Sequence, residues 1–321
     1  MSFKFIAEFC QNHNGNRQIL QEMIHQASEA GATYGKIQTI FASDLSKRDR
    51  FENGLVVDGV TKVIKRPYAA EYERLKGLEI SYDDQFWFIE ECKKYKLIPL
   101  TTCFTRGHVK RLAEMGWGEI KIASYDCASL PLIKDLSRYF KKLIISTGAT
   151  FDNEVVFTAN YLNSISKDFS FLHCVTLYPT PLDKMHLNRM KYLKKFTPEI
   201  GLSNHAHSER DDIKADVAAI YLGSSLIERH FTILKADQSR DGPVSINTSQ
   251  LKRIIEFSKL SKNDQKLYIG EKVPEFDLML GSETRELSHQ ELLNRDYYRG
   301  RFTTHVKDIK IENWDEGLIN E

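Results

Sequence analysis

EIGLSNHAHSERDD (199–212) and SSLIERHFT (224–232) are the stretches on which the fold turns. Each opens as a short apolar run, Ile200 with Leu202 and Leu226 with Ile227, and stops on polar residues. Successive side chains of a strand point to opposite faces, so Ser203 shares a face with His205, and Glu228 with His230. Between the two runs, DIKADVAAIYL (212–222) repeats its apolar residues at helical spacing. Strand, helix and strand in succession make parallel neighbours. His205 and His230 are therefore expected side by side at two strand ends. Paired imidazoles suit a catalytic divalent metal and leave coordination positions open for substrate and water. Two hydrogen-bonded core histidines are the alternative for such a pair on its own.

The same beat runs outward through the chain. Apolar runs at 3–9, 34–41, 97–102, 119–124, 142–147 and 169–176 read as six further strands. Helical spacing fills 17–30, 83–95, 108–115, 130–140, 153–165, 185–196, 211–222 and 249–259. Eight strands alternating with eight helices predict an α/β fold, the closed (β/α)8 TIM barrel, over residues 1–270, with a short C-terminal extension at 271–321. An open doubly wound sheet is the alternative, but no glycine-rich dinucleotide fingerprint follows the first strand. Residues 42–79 break the rhythm and read as a long lid or partner loop. After Gln265 the pattern is irregular and charged.

With 45 basic and 44 acidic residues the formal net charge is +1. No global field would draw in nucleic acid or an anionic membrane, so an anionic ligand needs a local pocket. The five cysteines, Cys10, Cys92, Cys103, Cys127 and Cys174, show no paired spacing, which points to a reducing compartment. No stretch approaches the length of a membrane span, and the first strand begins without a leader pattern. A soluble, cytoplasmic protein is expected.

In a barrel of this kind, reactive groups gather where strands end. Those ends carry Glu8; Lys36 and Gln38; Thr102; Lys121 and Ser124; Ser146 and Thr147; Thr176 and Tyr178; Ser203 and His205; Glu228 and His230. A lysine inside an apolar strand is expensive without a partner, so Lys36 and Lys121 imply either a bound anion or internal pairs such as Lys36 with Glu8 and Lys121 with Glu228. Ammonium groups with short hydroxyl donors suit phosphate and carboxylate, and a metal would polarise a carbonyl. The inventory fits carbon–carbon bond formation with a phosphorylated acid. It would also serve a metal-dependent pyruvate aldolase or a non-catalytic sugar-binding barrel.

AEFCQNHNG (7–15), GATYGKIQT (31–39), KIAS (121–124), LIISTG (143–148), HCVTLYPTP (173–181), GLSNH (201–205) and ERHFT (228–232) together resemble, in order, the motifs of the sialic acid synthase family. Its members condense phosphoenolpyruvate with an aldose to give a nonulosonic acid. The resemblance implies an N-acetylmannosamine-like acceptor, a homodimer, and a divalent metal, manganese or else magnesium. It puts the phosphate and carboxylate near Lys36, Thr102, Lys121, Ser124, Ser146 and Ser203, and makes His205 and His230 the metal ligands. Glu8, Tyr178 and Asp241 match positions that face the sugar, and Glu8 or Glu228 would handle protons. Two residues depart from the pattern: Thr176 stands where the family usually has Asn, and Asn204 where it usually has Asp. The C-terminal antifreeze-like domain is matched only in its first stretch, 294–311. The arginine that this domain supplies to the sugar is not reached, leaving Arg299, Arg301, or Arg66 with Tyr68 and Tyr72 as candidates to close the pocket. Residues 294–314 hold Tyr297, Tyr298, Phe302, Val306, Ile309, Ile311 and Trp314, which need a host surface. The resemblance implies a partner subunit's barrel, with the chain's own barrel as the alternative.

Overall fold

A computed structural model describes residues 3–307 and 309–316. The apolar runs become eight parallel strands: β1 (Lys4–Glu8), β2 (Tyr34–Thr39), β3 (Ile98–Cys103), β4 (Glu119–Ile122), β5 (Lys142–Ser146), β6 (Asp168–Cys174), β7 (Ile200–Asn204) and β8 (Leu226–His230). Each pairs with its neighbours in the chain, and β8 closes on β1 to complete a (β/α)8 barrel. Closure sets Glu8 opposite His230 on one side and Lys36 on the other. Glu228 falls opposite Ser203.

Helices follow each strand and are started by residues that suit the task. The Asn16 side chain accepts from the backbone N–H groups of Gln18 and Ile19 ahead of Arg17–Glu29. Ser81 does the same for Asp84 ahead of Tyr82–Lys94. Asn247 and Gln250 cap Thr248–Ser258 reciprocally. The apolar faces of these helices pack on the outer wall of the sheet. Burial of each large apolar side chain contributes about 1.5–3 kcal/mol.

Inside the barrel the lower filling is apolar: Ile6, Tyr34, Leu100, Ile144, Leu172 and Leu226. Gly201 belongs to this packing, because a Cβ there would meet Leu172 Cδ2 at 2.6 Å and run into the carbonyl oxygen of Leu226. One strand position higher, the same strands carry Glu8, Lys36, Ser146, Ser203 and Glu228. The interior thus changes from hydrocarbon to charge within one layer.

Two regions differ from expectation. The 42–79 connection is ordered, with a hairpin of Leu55–Val57 and Val60–Val63 and a helix at Tyr68–Lys76. Asp58 and Gly59 both take positive φ, the arrangement of a tight hairpin turn. Beyond Gln265 the chain is also regular, with helices at Lys262–Lys272 and His289–Tyr298 and a hairpin of Thr303–Val306 with Ile309–Glu312.

The extension docks on its own barrel rim, where a partner's had been expected. Tyr297, Phe302 and Asn313 are buried. Phe302 packs with Ile40, Ala42, Leu45 and Leu75. Asn313 Nδ2 donates to Phe104 O at 2.7 Å, Asn294 Nδ2 to Thr176 O at 2.7 Å, and Arg106 Nη1 to Asp315 O at 2.8 Å. Tyr298 stacks on Tyr125 with ring centroids 4.8 Å apart. Ile309 alone among the apolar residues named stays largely exposed.

Candidate active site

A cavity of about 630 Å³ opens at the carboxyl ends of the strands, and the strand-end residues expected from the sequence line it together with Asp241, except Thr147, whose hydroxyl donates to Leu172 O at 3.1 Å. The side chains lie at three depths.

Deepest is a buried cluster of two lysines and two glutamates. Lys36 Nζ is in direct contact with Glu8 and 3.8 Å from Glu228 Oε2. Lys121 Nζ lies 3.8 Å from Glu228 Oε1 and donates to Ser146 Oγ at 2.6 Å. Ser203 Oγ donates to Glu228 Oε1 at 2.8 Å. The internal pairs and the cavity therefore coexist, and both ammonium groups border open space. Burial lowers the Lys36 ammonium to about 7, with Lys121 adding to the fall and Glu228 opposing it. Glu228 is held below the usual carboxylate range: burial would raise it, but Lys121, Lys36 and the Ser203 hydroxyl outweigh that. Thr102 and Ser124 border the same floor, and Ser124 Oγ accepts from Gly148 N at 3.1 Å.

Above the floor stand the two histidines, with ring centroids 5.4 Å apart. Burial pushes His205 well below its ordinary value and lowers His230 as well, keeping both imidazoles neutral, the form that ligates metals. Tyr178 is half exposed and lies on His205 at 4.1 Å between centroids. Asp241 Oδ2 is 3.8 Å from His230 Nδ1 and accepts from Cys10 Sγ at 3.0 Å. Donor atoms of Cys10, His230 and Asp241 all lie within 4.8 Å of one another, and buried His230 Nδ1 has no hydrogen-bond partner among the described residues. This donor set fits a divalent cation. Reading the strand ends missed Cys10, which lies two residues past the end of β1 with φ 43°, where strand alternation no longer applies.

The mouth is framed by Arg66, Arg74, Arg240 and Arg301, with Gln290 and Asn294 from the extension. Arg301 and Arg74 both pair with Glu71. Arg299 is spent elsewhere, over the Trp314 ring at 3.4 Å and 3.2 Å from Glu154. Of the two departures, Thr176 lines the cavity, whereas Asn204 faces out of it and bonds to Asp216.

A closed (β/α)8 barrel with paired ammonium and carboxylate groups beneath neutral imidazoles defines an enzyme with its site at the strand ends. The model of the NeuB family matches residues 23–266, and the chain belongs to that family. With the family goes the class of enzyme, a transferase that condenses two substrates. An N,N'-diacetyllegionaminic acid synthase of Campylobacter jejuni is 28% identical over 285 residues, covering 81% of this chain and 80% of the relative. A pseudaminic acid synthase of Helicobacter pylori is 25% identical over 303 residues, covering 94% and 85%. Among solved structures, the spore coat polysaccharide biosynthesis protein SpsE of Bacillus subtilis superposes with a TM-score of 0.71 at 26% identity, covering 92% of this chain and 77% of the other. The sialic acid synthetase of Leptospira borgpetersenii, at 22% identity, shares the fold with a TM-score of 0.70, covering 92% and 91%.

Proposed function

We propose that the protein condenses phosphoenolpyruvate with an N-acetylmannosamine-like aldose: the methylene carbon attacks the aldehyde, water adds at the enol carbon, and the resulting tetrahedral intermediate loses inorganic phosphate by C–O cleavage. The observation that carries this reading is the stacking of Lys36, Lys121, Ser146 and Ser203 below the His205 and His230 pair in a single cavity. Two ammonium groups and two hydroxyls are suited to a small, highly charged phosphorylated acid. A divalent cation held at His205 and His230 would polarise the acceptor's aldehyde oxygen; the family resemblance implies manganese or magnesium.

The chain's own groups do the rest. Lys36 and Lys121 hold the phosphate and carboxylate and offset the charge that develops as the C–O bond breaks. Glu8, in contact with Lys36 and fixed by the Cys10 N–H at 2.7 Å, is placed to move a proton. Glu228, kept ionised, holds the two lysines in register. Tyr178 and Asp241 sit where the sugar would enter. The barrel floor of hydrocarbon beneath keeps bulk water from the far side.

Phosphoenolpyruvate puts the reaction in the cytoplasm, and among the described residues no helix is long and apolar enough to cross a membrane. A homodimer fits the exposed hairpin, where Leu55, Val56, Val57 and Val60 face solvent together. The test is a phosphate-release screen with phosphoenolpyruvate and a panel of acetamido, diacetamido 6-deoxy and non-acetamido aldoses. Phosphate released only with an aldose present supports the reading. Turnover of pyruvate without phosphate would replace it with an aldolase, and binding of sugar without turnover with a sugar-binding barrel.

A further inference from the structure

We infer that Cys10 is a thiolate ligand of the metal site, so that the cation is held by Cys10, His230 and Asp241, with His205 beside them, in place of two imidazoles alone. The inference rests on the divalent-cation reading above. Its first ground is convergence: sulfur, nitrogen and carboxylate oxygen come from the end of β1, the end of β8 and the 236–244 loop, and all lie within 4.8 Å of one another. Its second is the unanswered nitrogen. His230 is 6% exposed, and its Nδ1 has no hydrogen-bond partner among the described residues, although it borders the cavity beside Asp241. A buried polar atom without a partner calls for an occupant at that place.

The backbone adds a third ground. Cys10 has φ 43°, in the left-handed region where glycine fits freely and a side chain is disfavoured. Its N–H is fixed by Glu8 Oε1 at 2.7 Å, which holds the thiol at the cavity edge. A side chain kept against that preference and aimed at a carboxylate and an unpartnered imidazole has a use for its sulfur. Without a cation the thiol proton sits toward Asp241 Oδ2 at 3.0 Å. On loading, that proton leaves to solvent and the sulfur anion takes its place in the coordination shell. A soft sulfur donor also shifts selectivity away from manganese and magnesium toward iron(II), cobalt and zinc.

The experiment titrates Co²⁺ into the metal-free full chain under reducing, anaerobic conditions. It follows the near-ultraviolet sulfur-to-cobalt charge-transfer absorption, with equilibrium dialysis giving stoichiometry and affinity. The expected result is one Co²⁺ bound with that band. Cys10→Ser and Cys10→Gly should both lose the band and about tenfold or more in Co²⁺ and Zn²⁺ affinity, with a smaller change for Mn²⁺. The glycine variant relieves the left-handed backbone, so loss of the fold cannot account for its result. Cys174→Ala is the control, because Cys174 Sγ lies 3.8 Å from His205 Nδ1, and it should keep the band. Bound Co²⁺ with no band, a band that survives in both Cys10 variants, or one that disappears with Cys174 overturns the inference. Failure to bind Co²⁺ removes it together with the metal reading. Phosphate release is measured in parallel, and a wild-type chain that turns over without the band leaves the synthase reading standing while the thiolate ligand falls.

Discussion

Asn204 donates from Nδ2 to Asp216 Oδ1 at 2.9 Å, directly behind the strand end that presents His205. The other carboxylate oxygen takes Arg229 Nη1 at 2.7 Å, and Asn204 Oδ1 accepts from Ala206 N at 2.9 Å. The three side chains are buried, so one guanidinium answers one carboxylate with an amide between. Aspartate at this position would set two carboxylates face to face. Asn204→Asp should cost about 3–5 kcal/mol and lower the thermal midpoint by roughly 10 °C, read by calorimetry. An unchanged midpoint would mean that the network rearranges without loss.

Lys121 has its ammonium 2.6 Å from Ser146 Oγ and open to the cavity. Lys121→Met removes the charge and keeps most of the stem. Steady-state kinetics should show phosphate release lowered about 10²–10³-fold. Metal affinity by dialysis should stay unchanged, because the histidines stand one layer higher. Equal loss of both would place the lysine in support of the whole site.

Asp126 gives a dependence on pH. Burial pushes its carboxyl up to about 7, against the opposing pull of Asn313 and Arg299. The folded state therefore keeps a proton that the unfolded chain releases near about 3.9. Its contribution is complete below that value and is lost as pH rises toward 7. Asp126→Asn keeps an acceptor for Asn313 Nδ2, now 3.2 Å away, and removes the charge. The variant should gain about 1–3 kcal/mol over wild type at pH 8 and little at pH 4, by denaturant midpoints. The same gain at both pH values would show that Asp126 ionises normally.

The extension gives a test of assembly. Its Phe302, Tyr297 and Asn313 are taken up by the chain's own rim. Deleting residues 299–321 should therefore leave the number of chains per particle found by light scattering the same as for the full chain, while weakening acceptor affinity at the opened mouth. A fall from dimer to monomer would return the tail to the subunit interface.

Much of this was legible because barrel strands write their register twice, in apolar runs and in the polar residues that stop them. Glu8, Lys36, Ser203 and Glu228 could be assigned to strand ends from the apolar runs and their polar stops, but their common layer follows only from the barrel's register. Contacts distant in sequence were harder. The helical spacing over 185–196 shrinks to Arg189–Leu193, since the N–H groups of Leu187 and Asn188 go to Met279 O and Leu280 O at 2.9 and 2.8 Å. Nothing local announces that exchange. The hairpin at 55–63 did carry a signal, the Asp58 and Gly59 pair, hidden by the charges around it. Cys10 escaped because a scattered cysteine says nothing of its neighbours until the 236–244 loop folds over it.

The rim also sets a timetable. Glu8 and Cys10 come from the first strand and its exit, β8 must travel back to pair with β1, and Asn313 contributes to the cavity wall from some three hundred residues away in sequence. Contacts between segments so far apart bear the full entropy of loop closure before they are rewarded, so they form late in folding. A folding chain thus carries its lysines and histidines on an unfinished sheet, and the working pocket is assembled only when β8 returns to β1 and the 303–313 segment docks on the rim.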